Sequence, residues 1–446
     1  MDLRGLSRMA WLGAVFLLLS VSAGSGDRFA GGDGTAVSPY QIASAEQLVA
    51  LGADPSLWDQ HFVLIRDLDM VRVEPNAVSP IGHEEQEFTG LFDGKGHIIS
   101  HLRIIRPDAL GLGLFGLVGK RFEGPSSDAV GHVRNLKLND VRIQGDGFVG
   151  GLAGALGSGS IRNCSVTGTI VGKDTVVGLV GWADGVLESC SVTVQVHGIK
   201  RVGGLVADVG VGRTVLCCSA SGRVYGERWV GGLVGMCSGT LIVDGMHEFS
   251  SPDEQIPLSR IIQCRSDCSV YGTEAVGGLI GYADALGEIR DCYAVGPVTG
   301  STNVGGLVGL RMGCGLVRCF SAGHVTGDED AGGLIGETES LLDADELEDY
   351  PPCRHIIEEV QDSEQDGETY WLSIYRPGVL ACFWDSRGSG MMRPQGAGSG
   401  CEDATALTTD QMRQSASFRD QGWDFADVWT MHSGRPYPRL RWEQTP

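Results

Sequence analysis

The sequence predicts an all-β protein, a right-handed parallel β-helix (a β-solenoid) of coils about 27 residues long with a short N-terminal capping helix. Three observations predict it. First, one phrase returns: Val149-Gly-Gly-Leu-Ala-Gly154, Val202-Gly-Gly-Leu-Val-Ala207, Val230-Gly-Gly-Leu-Val-Gly235, Val276-Gly-Gly-Leu-Ile-Gly281, Val304-Gly-Gly-Leu-Val-Gly309 and Ala331-Gly-Gly-Leu-Ile-Gly336, with Val176-Val-Gly-Leu-Val-Gly181 lacking only the first Gly. Counted at the second Gly position, the steps are 27, 26, 28, 46, 28 and 27 residues. Units this small cannot bury their own apolar face and must stack on their neighbours. Second, Cys164, Cys190, Cys218, Cys264, Cys292 and Cys319 are each followed eight residues later by a Gly, which falls four residues before the next Val/Ala-Gly-Gly or its variant. The register is therefore rigid. Third, Gly at several fixed positions per unit would cost a helix about 1 kcal/mol each, whereas at a corner it supplies positive φ or close approach.

The elements follow in chain order. Residues 1–24 read as a secretory signal peptide: Arg4 and Arg8, the apolar stretch from Met9 to Val21, then the small-residue site Val21-Ser-Ala23. That stretch is too short to span a bilayer. Residues 25–110 form an N-terminal cap and the opening coils. Within them, Ser44-Ala-Glu-Gln-Leu-Val-Ala-Leu51 is a short helix with Ser44 as N-cap and Gln47 three residues on, a capping-box spacing. It covers the open end of the first coil, whose strand edges would otherwise stand unpaired. Strands follow at 61–68, 90–92 and 98–105. Residues 111–336 are the repeat. In Ile161-Arg-Asn-Cys-Ser-Val-Thr-Gly-Thr-Ile-Val-Gly172, Cys164 and Val166 share one parity and Ile161 the other, so short strands alternate with corners, three strands to a coil. The 46-residue step carries its extra length as a loop at 241–259.

Residues 337–380 are an acidic insert: Glu337 to Glu368 holds thirteen Asp/Glu against the single Arg354. It reads as a solvated acidic loop, or as a contact for a cation or basic partner presented by a rigid scaffold. It contains no Asp-x-Asp-x-Asp-Gly calcium loop. Residues 381–446 gather Phe383, Trp384, Trp423, Phe425, Trp429, Tyr437, Leu440 and Trp442. They serve as a C-terminal cap over the final coil, or alternatively as a ligand site.

Composition narrows the chemistry. A net charge of −22 argues against nucleic acid and anionic membranes, which need clustered Lys and Arg. No span of the chain after the signal is long and apolar enough for a membrane helix. Seven of the thirteen Cys, the six above and Cys382, occupy one slot in successive coils. The slot suits small apolar core residues, with disulfides between stacked coils as the alternative; a soft metal would want four clustered ligands rather than a ladder. Asp67, Asp69, Asp93 and His97 are the one tempting acidic group, since two carboxylates at the right separation cleave glycosidic bonds. Asp-x-Asp and Asp93-Gly-Lys-Gly are also ordinary turn chemistry, and we read all three Asp as structural. No Gly-x-Ser-x-Gly, Walker loop or His-Glu-x-x-His is present. No catalytic, metal or cofactor-binding residue is assigned, and no cofactor is expected. Outward repeat positions carry mixed Thr, Ser, Arg and Asp, and Trp182 and Trp229 fall at different points of their coils, so they make no aromatic row.

Val-Gly-Gly-Leu-Val-Gly and Asp291-Cys-Tyr-Ala-Val-Gly296 resemble the GLUG motif repeat of exported bacterial proteins, adhesin-like surface proteins among them. Pro39-Tyr-Gln-Ile, Arg66-Asp-Leu-Asp-Met70, Pro80-Ile-Gly and Phe88-Thr-Gly-Leu-Phe-Asp-Gly-Lys-Gly-His97 are similar to that group's opening coils. Cys382-Phe-Trp-Asp385, Leu407-Thr-Thr-Asp-Gln-Met412, Gly422-Trp-Asp-Phe425 and Pro436-Tyr-Pro-Arg-Leu440 are similar to its closing segment. The resemblance implies a pectin-lyase-like β-helix that is secreted or held at the cell surface and meets a glycan or a surface protein without catalysis. A structural spacer and a polysaccharide-active enzyme are the alternative readings, and the solenoid is expected to be a monomer.

Overall fold

The computed structural model describes residues 28–120, 130–210, 212–237, 259–283, 287–339, 360–365, 368–373, 378–401, 403–432 and 434–444. The signal peptide expected at 1–24 lies outside them, as does the loop expected at 241–259 apart from Ser259.

One coil sets the pattern. It runs through strands Gly159–Arg162, Ser165–Val171, Asp174–Val177 and Val180–Ala183, and the next coil begins at Val186. Each strand pairs in parallel with its counterpart one coil on, giving four long sheets of 11, 14, 8 and 9 strands. We call them the first to fourth sheets in that order. The molecule is a parallel β-helix, with four strands per coil rather than the expected three. The missed corner lies inside the Gly phrase itself. In Val149-Gly-Gly-Leu-Ala-Gly154 the third-sheet strand ends at Gly150 and the fourth-sheet strand starts at Ala153. Both halves are apolar, so the bend leaves no mark on the hydrophobic pattern.

Register is exact across coils. Val149, Val176, Val202, Val230, Val276, Val304 and Ala331 stack in one row. At the corner Leu152, Leu179, Leu205, Leu233, Leu279, Leu307 and Leu334 are fully buried. Each Leu backbone N–H up to Leu307 donates to the next Leu carbonyl, so even the bend is hydrogen-bonded from coil to coil.

The three Gly of the phrase have separate steric duties. A Cβ on the first, as at Gly277, would lie 1.9 Å from the Ile280 carbonyl oxygen and 2.7 Å from Gly309 N in the next coil. The second faces across the interior: a Cβ on Gly278 would lie 2.2 Å from the Gly306 carbonyl oxygen and 3.0 Å from the Ala294 Cβ. The third, as at Gly309, would meet Val276 N at 2.4 Å. First-slot Gly thus abuts third-slot Gly of the next coil. The only first slot in the seven copies with a side chain is Val177, and the only such third slot is Ala207. By this register they face each other.

A second non-repetitive conformation recurs where the first sheet turns into the second. Asn163, Ser189, Cys217, Gln263, Asp291, Arg318 and Ala381 all have φ between 50° and 54°, a left-handed bend that costs a non-Gly residue roughly 1–2 kcal/mol. It aims the following Cys inward. All seven ladder Cys are buried and free, and their thiols take part in the ladder: Cys190 N donates to Cys218 Sγ at 3.4 Å, Cys264 N to Cys292 Sγ at 3.3 Å and Cys319 N to Cys382 Sγ at 3.4 Å. Burial pushes the Cys218 and Cys292 thiols up, so they behave as small core residues.

The two ends are finished differently. The helix Ala45–Gly52 has the expected cap, with Gln47 N donating to Ser44 Oγ at 3.3 Å and Ala43 N to Gln47 Oε1 at 2.7 Å; Leu48 and Leu51 enter the main core. At the other end, Cys382-Phe-Trp-Asp385 divides by parity. Cys382 and Trp384 point into the main core, while Phe383 points outward. Trp384 packs against Gly333, in the place that Ala294 and Ser321 hold in preceding coils. The rest of the closing segment does not lie across the open end. Two four-residue helices, Thr409–Met412 and Ala416–Arg419, and the strands Trp429–Thr430 and Arg439–Leu440 fold back on the outer surface of the second sheet. There Phe418, Trp423, Trp429 and Leu440 join Tyr293, Phe320 and Phe383 in a separate core. Outward aromatics on three successive coils draw the segment sideways, because covering them removes their apolar area from water. These aromatics are packed rather than open to a ligand. In the acidic insert, Val360–Gln365 and Glu368–Ser373 pair as an antiparallel hairpin.

Candidate functional site

The second sheet has the longest strands of the solenoid: Lys137–Gln144, Ser165–Val171, Ser191–His197, Ser219–Tyr225 and Arg265–Tyr271. Val192-Thr-Val-Gln-Val196 alternates strictly, with Val192, Val194 and Val196 inward and Thr193, Gln195 and His197 exposed. Stacking turns these alternations into outward rows. Thr169, Gln195, Arg223 and Ser269 form one, and Val171, His197, Tyr225 and Tyr271 the next.

Three rings in the latter row lie face to face. His197 and Tyr225 have ring centroids 4.7 Å apart and planes 8° from parallel, and Tyr225 and Tyr271 are 5.0 Å apart at 10°. The spacing follows from the rise of the coil, about 4.8 Å. Because the faces are spent on one another, the row presents ring edges, imidazole nitrogens and phenol hydroxyls to solvent. Beside it runs a groove of about 320 Å³, walled by Thr169, Thr193, Gln195 and Arg223, at the small end of the roughly 300–1,000 Å³ of ligand clefts. Its floor is bare backbone. Gly168 (φ 146°) and Gly222 (φ 113°) lie there, where a Cβ would come 2.1 Å from the Val141 carbonyl oxygen and 2.0 Å from that of Val194. The groove ends where residues 409–444 begin to cover the sheet, at the ion pairs of Arg265 with Glu443 (3.2 Å) and Arg439 with Asp267 (3.6 Å).

Sequence reasoning missed this row. It weighed Trp182 and Trp229, which lie on the fourth and third sheets. The signal was present: Val171, His197, Tyr225 and Tyr271 each stand immediately before the Gly that follows the ladder Cys by eight residues. Only its chemistry varies.

The fold divides the acidic group of the opening coils: Asp67 meets His97 and Asp69 lies on a second-sheet strand, whereas Asp93 ends a first-sheet strand. Asp67 Oδ1 accepts from Ile98 N at 2.9 Å and meets His97 Nδ1 at 3.1 Å. Asp69 Oδ1 meets His101 Nδ1 at 2.7 Å and accepts from Val71 N at 3.0 Å. Asp93 is buried at the end of a first-sheet strand and accepts from Lys95 N (2.9 Å), Arg134 Nε (2.9 Å) and Asn135 Nδ2 (3.0 Å). Hydrogen bonds hold Asp67 and Asp69 below the usual carboxylate range, the Ile98 N–H leading for the first and His101 for the second. For Asp93 burial works upward, and the bonds from Asn135, Lys95 N–H and Arg134 outweigh it. Among the described residues no cluster of His, Cys, Asp and Glu has the arrangement of a metal site.

Asp93 carries a pH prediction. Its folded pKa is depressed, so its contribution is full above the unfolded value of about 3.9 and is lost as pH falls through the folded value. Asp93→Asn should destabilise the protein by about 1–3 kcal/mol at pH 7, and the gap to wild type should narrow at pH 3. Urea melts at both values test this; an equal gap at the two would contradict it.

The repeat matches a described motif. The family described as the GLUG motif matches residues 148–171 and 272–299. This chain carries the GLUG motif. Each match covers one turn of the solenoid, from the third sheet to the end of the second, so a GLUG unit is a coil cut at a fixed corner. Halomucin of Haloquadratum walsbyi is 33% identical over 159 residues, 34% of this chain and 2% of that protein. A protein of Evansella cellulosilytica provisionally named a Gly-rich membrane protein is 33% identical over 171 residues, 35% of this chain and 18% of that one. The matched stretch thus covers only a small part of the length of these relatives. A crystal structure of a Bacteroides ovatus protein provisionally called an immunoglobulin A1 protease aligns over 93% of this chain and 96% of that one, at 16% identity and a TM-score of 0.49. Among the described residues no helix is long and apolar enough to cross a membrane.

Proposed function

We propose that this GLUG-motif β-helix is a secreted or cell-surface binding module that holds an extended partner along the outer face of its second sheet, by contact rather than turnover. The observation that carries this reading is the stacked row His197, Tyr225 and Tyr271 beside the groove of Thr169, Gln195 and Arg223. Aromatic side chains with a polar edge and a preset geometry lose little conformational freedom on binding, and the stack offers ring edges on three successive coils. The Asp carboxylates of the opening coils are engaged in turns and depressed in pKa, which ill suits a general acid. A screen of the full chain against glycan arrays and host-matrix proteins tests the proposal. At least one class should bind, and Tyr225→Ala should weaken it about tenfold, the scale of one aromatic contact, with the thermal unfolding midpoint little changed. Binding that Tyr225→Ala leaves intact, or no binding to any probe, would overturn it.

A further inference from the structure

We infer that the groove on the second sheet takes a carboxylated saccharide, a uronate or sialic acid unit within a glycan, with Arg223 as the group that reads its charge. This rests on the binding role proposed above and adds the ligand class. Arg223 stands in the groove wall between Gln195 and Ser269, one row from the aromatic stack. It is exposed, and no ion pair joins it to a carboxylate among the described residues. On the next coil of the same sheet Arg265 pairs with Asp267 and Glu443, and the row continues through Arg142 and Arg103 on the preceding coils, outside the groove lining.

In a chain of net charge −22, an unpaired guanidinium inside a lined groove is a local reversal of the prevailing field. A guanidinium binds a carboxylate through two parallel N–H···O bonds. One such group balances one negative charge, whereas densely sulfated or phosphorylated polymers would place the surplus against an acidic protein. The rest of the lining suits a sugar. Thr169, Thr193 and Gln195 offer donors and acceptors for ring hydroxyls, and the bare floor at Gly168 and Gly222 lets a ring sit close to the sheet. The Tyr225 and Tyr271 edges add apolar flank and hydroxyls on one side.

The test is binding of the full-length protein to oligogalacturonate and to 3′-sialyllactose, each beside a neutral counterpart, the methyl ester and lactose. At least one acid form should bind tenfold or more tightly than its neutral partner. Arg223→Gln should abolish that preference, and Arg223→Lys should restore it in part, because an ammonium keeps the charge without the fork. Circular dichroism and melting midpoints of the variants confirm that the fold is kept. Equal binding of acid and neutral forms, or an acid preference that survives Arg223→Gln, would overturn the inference. Binding confined to neutral glycans or to a protein, and lost in Tyr225→Ala, would refute the ligand class while leaving the binding role standing. If no probe of any class binds, both fall.

Discussion

Gly309→Ala should cost the protein about 3 kcal/mol or more, the upper range for forced overpacking, although Ala ordinarily suits a strand better than Gly. The added Cβ would lie 2.4 Å from Val276 N and 2.5 Å from Ala275 C. Both are backbone atoms of the preceding coil, so no rotamer change relieves the contact. From Gly235 onward the corner tightens: the closest approach to a third-slot Cβ is 2.9 Å at Gly235, 2.5 Å at Gly281, 2.4 Å at Gly309 and 2.2 Å at Gly336, while the earlier Gly154 and Gly181 stand at 2.7 and 2.4 Å. Gly235→Ala should therefore be milder than Gly309→Ala, and Ala207→Gly should fall within about 1 kcal/mol of wild type. Chemical denaturation of the three variants measures the series. Equal costs at 235 and 309 would show that this corner is not set by backbone contact.

Removing residues 408–446 should convert the protein into an associating species that keeps its β structure. The deletion uncovers Tyr293, Phe320 and Phe383, each no more than 2% exposed in the intact chain. Re-exposing such side chains forgoes about 1.5–3 kcal/mol apiece and leaves a contiguous apolar patch, the usual seat of self-association. Polar ties are lost as well: Trp429 Nε1 donates to Asp291 Oδ1 at 3.3 Å, Tyr293 donates its hydroxyl to Glu443 at 2.8 Å, and Trp442 Nε1 donates to the Gln263 carbonyl at 2.9 Å. Sedimentation velocity should show concentration-dependent oligomers of the shortened chain, with far-ultraviolet dichroism unchanged. A shortened chain that stays monomeric and melts with wild type would mean that the lateral core is ornamental.

The repeat was legible because its rules are steric and admit few residues. Gly277, Gly278 and Gly309 stand where backbones touch, and Cys292 and Val276 where the interior is narrow, so identity recurs along with position. The fourth strand per coil was not legible, since the break between Gly277 and Ile280 falls between two apolar stretches. The candidate site was hidden for the opposite reason. Outward positions such as Thr169, Gln195 and Arg223 face no packing constraint, so their residues change from coil to coil and share only a phase. The lateral docking of Trp423 and Trp429 was beyond local pattern altogether. Their aromatic content announced a buried role, and only the outward parity of Tyr293, Phe320 and Phe383 tells what they cover.

The facing of Val177 and Ala207 gives the solenoid a rule of succession. Excising Glu274 to Ser301 would join two coils whose corner slots are all Gly, and the shortened array would close as before. Excising Asp174 to Ile199 would set Ala207 against Gly150 and the backbone of Phe148, without the partner beside which its methyl group now sits. Coils are thus interchangeable in some places and inseparable in one, and an array that gains or loses turns must inherit the coils of Val177 and Ala207 as a pair.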